Sequence, residues 1–148
     1  MNIEVVARLE TITGVSVAGV QPMHGGCVGN VFAVELTDGV CLVAKIGDNG
    51  SGLGIEGFML RYLAENGAGL PVPEVLFADD NLLLMKRLPD GEKINTRAER
   101  HAADLVAALH DVTNPSFGFE RDTVIGGLHQ ANPPSTCWLD FFRDHRLL

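Results

Sequence analysis

The sequence is poor in cysteine, in positive charge and in long apolar runs, and each shortage removes a class of function. Three cysteines, Cys27, Cys41 and Cys137, are spread over 148 residues. They form no Cys-x-x-Cys pair and no metal-ligand spacing with the five histidines. An odd, unpatterned count suits a reducing compartment, the cytoplasm, rather than a disulfide framework. Lys and Arg number 11 against 19 Asp and Glu, giving a net charge of −8 and a pI of about 4.9. No basic patch stands out, so nucleic acid is not an expected partner. The opening residues, Met1 to Val6, include Glu4 and no long apolar run, so no secretory signal is expected. No apolar run reaches the length of a membrane span, and no membrane partner is expected. Repeats and low-complexity tracts are also lacking. What remains is 46% hydrophobic and 20% charged, enough for one globular domain with a core and short for two.

Periodicity divides the chain. Ile3, Val6, Leu9 and Ile12 predict a short N-terminal helix ended by Gly14. Strands are expected at 15–20, 30–35, 40–46 and 82–85, with an extended segment at 70–77 enforced by Pro71 and Pro73. Thr37-Asp38-Gly39 is a hairpin signal, because Asp-Gly suits positive φ. A helix over 55–65 carries Leu60 and Leu63 on the face near Glu56 and is closed by Gly67 and Gly69. These parts predict an α+β fold: a five-stranded antiparallel sheet with one main helix. A second helix over 96–111 aligns Ala98, Ala102, Leu105, Val106 and Leu109, with Thr96 as its cap. Trp138, Phe141, Phe142 and Leu148 mark an amphipathic helix running to the last residue.

The stretch that organises the chain is the apolar strand 40–46, with a single lysine, Lys45, near its end. A buried ammonium needs an anion. Glu56, eleven residues on, is one; a ligand phosphate is another. Alternatively Lys45 snorkels to solvent. Just upstream lies the glycine-rich turn Gly25-Gly26-Cys27-Val28-Gly29-Asn30, whose backbone N–H groups suit phosphate oxygens. Glycine turn, strand, hairpin, strand with lysine, helix with glutamate is the order of parts in the nucleotide-binding lobe of a kinase. The break after Met85, at Lys86, Arg87 and Leu88, then corresponds to the hinge, where backbone groups face the edge of adenine. Cys27 is either a reactive thiol or an inert turn residue.

Other patterns fail. In residues 47–54, Gly50 and Gly52 would need glycine at position 55, which is Ile55, so no dinucleotide loop is present. Read as a calcium loop from Asp48, the segment has glycines at positions three and five and Met59 at position twelve. It is expected to be a mobile linker. The pattern H-x-D-x-x-x-x-N does not occur; His110-Asp111 with Asn114 has the wrong spacing, and His110 is expected to be a capping or core residue. Asp140 and Asp144 are expected to be solvated. The parts that hold a nucleotide are present, and the parts that transfer phosphate are not.

The later motifs are specific. Phe117-Gly118-Phe119, Asp122 to Gly126, Gln130-x-Asn132 and Trp138-x-x-Phe141-Phe142-x-x-His145-Arg146-Leu147, with Gly25-Gly26-Cys27 and Ala107-x-Leu109-His110, resemble the fructosamine kinase (ketosamine 3-kinase) family. That family is related to aminoglycoside phosphotransferases. The resemblance implies a protein-kinase-like fold and phosphorylation of the sugar of a ketosamine by ATP and Mg²⁺, which helps free a glycated amine. The acceptor would be a ketosamine-modified protein or small molecule. It implies ATP contacts from Gly25, Gly26, Cys27, Val28, Gly29, Asn30, Lys45, Glu56, Met85, Lys86, Arg87 and Leu88. It places an N-lobe at 1–88 and the hinge and start of a helical C-lobe at 89–148. Lys86 departs from the acidic residue usual at the first hinge position. Members are roughly twice this length, as a two-lobed enzyme requires, so the catalytic Asp and metal ligands are expected beyond this chain. On that expectation the chain alone is inactive, and exposed Trp138, Phe141 and Phe142 favour a homo-oligomer. The alternative is a non-catalytic nucleotide-binding or dimerising remnant.

Overall fold

The computed structural model describes residues 1–23, 30–48, 50–89, 91 and 93–147. They form two compact units, one of residues 1–61 and 73–91, the other of residues 62–72 and 92–148.

The first unit opens with helix α1 (Ile3–Thr13). The Asn2 side chain accepts the Val5 N–H at 3.0 Å and caps the start. Gly14, at φ 71°, donates its N–H to the Glu10 carbonyl and ends the helix. Strands β1 (Val17–Met23), β2 (Asn30–Leu36), β3 (Cys41–Ile46), β4 (Val75–Ala78) and β5 (Leu82–Lys86) form one antiparallel sheet in the order β1-β2-β3-β5-β4. The expected five-stranded sheet is therefore present. β1 starts two residues later than expected and runs through Pro22, which an edge strand tolerates. Between β2 and β3, Gly39 takes φ 85° and the Asp38 carboxylate accepts the Val40 N–H at 3.0 Å.

Alternation along the strands gives the sheet two faces. One face meets α1, where Leu9, Val34, Leu36, Leu42, Ala44, Leu82 and Leu84 form the buried core. Helix α2 (Leu53–Asn66) begins in this unit and lies by its Gly57 against Val75, Ala78 and Leu83 on the other face. The segment before α2 is tied down rather than free. The Gly47 N–H donates to the Asn81 carbonyl at 3.0 Å, and the Ser51 hydroxyl donates to the Asp80 carbonyl at 2.6 Å. The linker expected at 47–54 is thus fastened to the β4–β5 turn by hydrogen bonds that composition does not reveal.

The second unit contains α3 (Thr96–His110), the hairpin β6 (Thr123–Ile125) and β7 (Leu128–Gln130), and α4 (Trp138–Phe142) running into a π-helical turn, Arg143–Leu147. The cap of α3 is Asn95, whose side chain accepts the N–H groups of Arg97 and Ala98; Thr96 is the first helical residue and not the cap. No residue of α3 is buried, and His110 is exposed at its end, which removes the core alternative for that histidine. The expected exposed aromatic trio is corrected to two. Trp138 and Phe142 are exposed, but Phe141 is 5% exposed, covered by its own ring contact with Trp138 and by the Arg146 guanidinium 4.7 Å from its ring centre. Leu148 lies outside the described residues. Among the described residues no helix is long and apolar enough to cross a membrane.

Candidate functional site

Lys45 lies on β3, on the face opposite the α1 core. Its direct partners are Val31 on β2 and Leu83 on β5; in the next row Val43 pairs with Ala33 and Met85. Directly paired residues project to the same face. A half-buried apolar floor of Val31, Ala33, Val43 and Met85 therefore adjoins a single ammonium.

The Lys45 Nζ donates to Glu56 Oε2 at 2.6 Å, with the lysine side chain 13% and the glutamate 36% exposed. Snorkelling to solvent, the open alternative, does not describe this lysine. The pair links the sheet to the first turn of α2, where Glu56 is also the acidic residue favoured by the helix dipole. A charge-assisted hydrogen bond of this length fixes the ammonium while leaving two of its protons for another acceptor.

At the end of β5, the Lys86 N–H donates to the Glu74 carbonyl at 2.9 Å and the Arg87 N–H to the Cys41 carbonyl at 3.2 Å. Those two amides serve the sheet. The Lys86 ammonium meets Glu74 Oε2 at 2.5 Å, both side chains being exposed. Lys86, Arg87 and Leu88 are exposed, and Met85 is half-buried on the floor. A small cavity of about 90 Å³ adjoins this end of the same face, lined by Gln21, Glu35, Cys41 and Arg87 among others. Asn30 begins β2 opposite Ile46 and is exposed. Gly25, Gly26, Cys27, Val28 and Gly29 lie outside the described residues.

Two groups that the sequence did not single out support this arrangement. Gly57 lets α2 approach the sheet. Asp79 clasps the β4–β5 turn to α1: its Oδ1 accepts the N–H groups of Asn81 at 3.0 Å and Leu82 at 2.9 Å, and its Oδ2 pairs with Arg8. Burial opposes its ionisation, yet the Arg8 hydrogen bond, those two amides and the Arg8 charge together hold its carboxyl below the ordinary value. The arginine partner is 71 residues away in the chain.

In the second unit the motif residues form a polar node. The Asn132 side chain is buried; it donates to the Arg121 carbonyl at 3.2 Å and to the Thr123 hydroxyl at 2.9 Å, and accepts from Arg146. The Asn132 N–H donates to Asp122 Oδ1 at 2.8 Å, and its carbonyl accepts the Phe119 N–H at 3.0 Å. Gly118, at φ 102°, lets that backbone pass: a Cβ there would stand 2.4 Å from the Pro133 carbonyl oxygen. These motifs hold the second unit's own structure. Asp140 and Asp144 are exposed and pair with Arg143 at 3.2 and 2.6 Å.

With this geometry in place, the family model described as fructosamine kinase matches residues 1–148. The chain belongs to the fructosamine kinase family. The crystal structure of a presumed fructosamine-3-kinase from Thermobifida fusca superposes with a TM-score of 0.80 at 31% identity, covering 96% of this chain and 50% of that one. A second, from Haemophilus somnus, gives the same TM-score and coverage at 21% identity and shows the fold. A probable ketoamine kinase of Synechocystis is 44% identical over 43 residues, 28% of this chain and 15% of that protein. This family member thus spans about half the length of the solved kinases it matches, and its sheet and helices share their protein-kinase-like fold.

Proposed function

We propose that this chain supplies the ATP-holding half of a ketosamine 3-kinase. One observation carries the reading: a single ammonium, held by Glu56 at 2.6 Å, stands at the edge of an apolar floor on the sheet. A nucleotide presents the complementary pair, a flat weakly polar ring and a chain of anionic phosphates. The base lies over Val31, Ala33, Val43 and Met85. Lys45 meets the phosphate oxygens, and Glu56 keeps its charge in place. Residues 25–30 cover the phosphates with backbone N–H groups. The hinge 86–88 meets the adenine edge through backbone groups other than the Lys86 and Arg87 amides, which the sheet uses. Lys86 in place of an acidic residue leaves this intact, because its side chain is engaged by Glu74.

ATP would donate its terminal phosphoryl group to a sugar hydroxyl of a ketosamine, on a protein or a small molecule. The resemblance also implies Mg²⁺. Among the described residues no three His, Cys, Asp or Glu side chains converge to hold a metal. The residue that accepts the sugar proton and the metal ligands belong, in this reading, to the part of the family's length that this chain does not span. A cytoplasmic setting suits the exposed free thiols of Cys41 and Cys137.

Calorimetric titration of the chain and of Lys45→Ala with ATP and Mg²⁺ tests the reading. Binding by the parent chain, weakened at least about tenfold in Lys45→Ala, is expected from the loss of a charge-assisted contact. Equal binding by both would overturn the assignment of Lys45. Binding with no ketosamine turnover, alone or with the rest of the protein, would favour the non-catalytic alternative.

A further inference from the structure

β3 is hydrogen-bonded on both sides, so Lys45 is fixed by the sheet. Glu56 rides on α2. The separation of the two charges is therefore set by how closely α2 lies on β4 and β5. At that contact the helix has no side chain. Gly57 is buried, and a Cβ built on it would stand 2.3 Å from the Ala78 Cβ, 3.2 Å from Leu83 Cδ1 and 3.7 Å from Val75 Cγ1. Leu83 can rotate aside, but the Ala78 Cβ is rigidly attached to β4, so helix and strand would have to part. Glu56 is the adjacent residue and would move with the helix. Glycine is a weak helix former, and Gly57 is not among the positive-φ glycines, so no backbone conformation requires it.

We propose that Gly57 is a positioning residue: its missing side chain sets the helix-to-sheet spacing that closes the Lys45–Glu56 pair. The effect on nucleotide affinity rests on the function proposed above; the effect on the ion pair does not. Two readouts keep them apart. The first, without nucleotide, is the rate at which acetic anhydride acetylates Lys45, followed by mass spectrometry of its peptide. Gly57→Ala should raise that rate about two- to fivefold, as Glu56→Gln does, because the ammonium loses its partner. Adding Ala78→Gly to Gly57→Ala removes the clashing methyl group and should restore the parental rate. In the Glu56→Gln background, Gly57→Ala should add nothing.

The second readout is ATP·Mg²⁺ affinity, expected to fall about tenfold in Gly57→Ala and no further when combined with Glu56→Gln. An unchanged acetylation rate in folded Gly57→Ala overturns the proposal. So does a further rise in the Glu56→Gln background, which would mean general exposure of the face, or a failure of Ala78→Gly to restore either fold or rate. The expected acetylation pattern in a chain that binds no ATP would support the positioning role while removing the nucleotide reading.

Discussion

The two units of this chain are held by different chemistry. In the first, the buried side chains are aliphatic: Leu9, Val34, Leu36, Leu42, Leu53 and Leu82 to Leu84 are at most 4% exposed. In the second, the buried side chains among the described residues are Thr123, Asn132 and Phe141. Non-directional packing between a sheet and α1 holds the one. A directional amide, satisfied on both sides, and a group of tilted rings hold the other. An aliphatic core tolerates exchange of similar shapes, whereas a polar node tolerates few changes because each partner left behind is an unsatisfied group.

Substitutions can break that contrast. The largest effect is expected from Leu84→Ala, at 0% exposure in the core, with a loss of about 2–5 kcal/mol in urea denaturation followed by far-UV circular dichroism. Asn132→Leu is close in size but removes one hydrogen bond each from Arg146, the Thr123 hydroxyl and the Arg121 carbonyl. At one hydrogen bond lost per group, the change should cost about 1–2 kcal/mol, read by fluorescence of Trp138, the single tryptophan. A neutral Asn132→Leu would show that the second unit is packed like the first. The smallest effect sharpens the comparison at a polar site within the aliphatic unit. Asp79 has a folded-state pKa below its ordinary value of 3.8, so its contribution is present above that pH and is lost as pH falls through the lower folded value. Asp79→Asn should remove that part of the acid slope, worth under about 1 kcal/mol because the pair is partly exposed. An identical stability-against-pH curve for both chains would assign the acid slope to other carboxylates.

The contrast also explains what was legible in the sequence. Aliphatic strands and amphipathic spacing gave the five strands, α1 and the opening of α2, because periodicity is the signature of apolar burial. Lys45 and Glu56 were legible for the same reason: each interrupts an apolar pattern. The β6–β7 hairpin was not, since its strands are three residues long and meet through Ile125-Gly126-Gly127-Leu128, with Ile125 and Leu128 exposed. Burial of Phe141 was hidden because a π-helical turn follows α4 and brings Arg146 over the ring. Gly57 was invisible as well; its role depends on Ala78, which lies 21 positions on and meets it only through the fold. The Asn132 motif was legible as a motif, but its hydrogen-bond partners were not.

The strand order gives Lys45 one more property. β3 is the middle strand of five, so its amides reach solvent only when the ladder on one side opens. The lysine is thus mounted on a strand paired on both sides, while the glutamate is carried by a helix that meets the sheet through Gly57. Side-chain rotation alone opens and re-forms the pair in place, whereas lifting α2 from β4 and β5 would carry the glutamate out of reach.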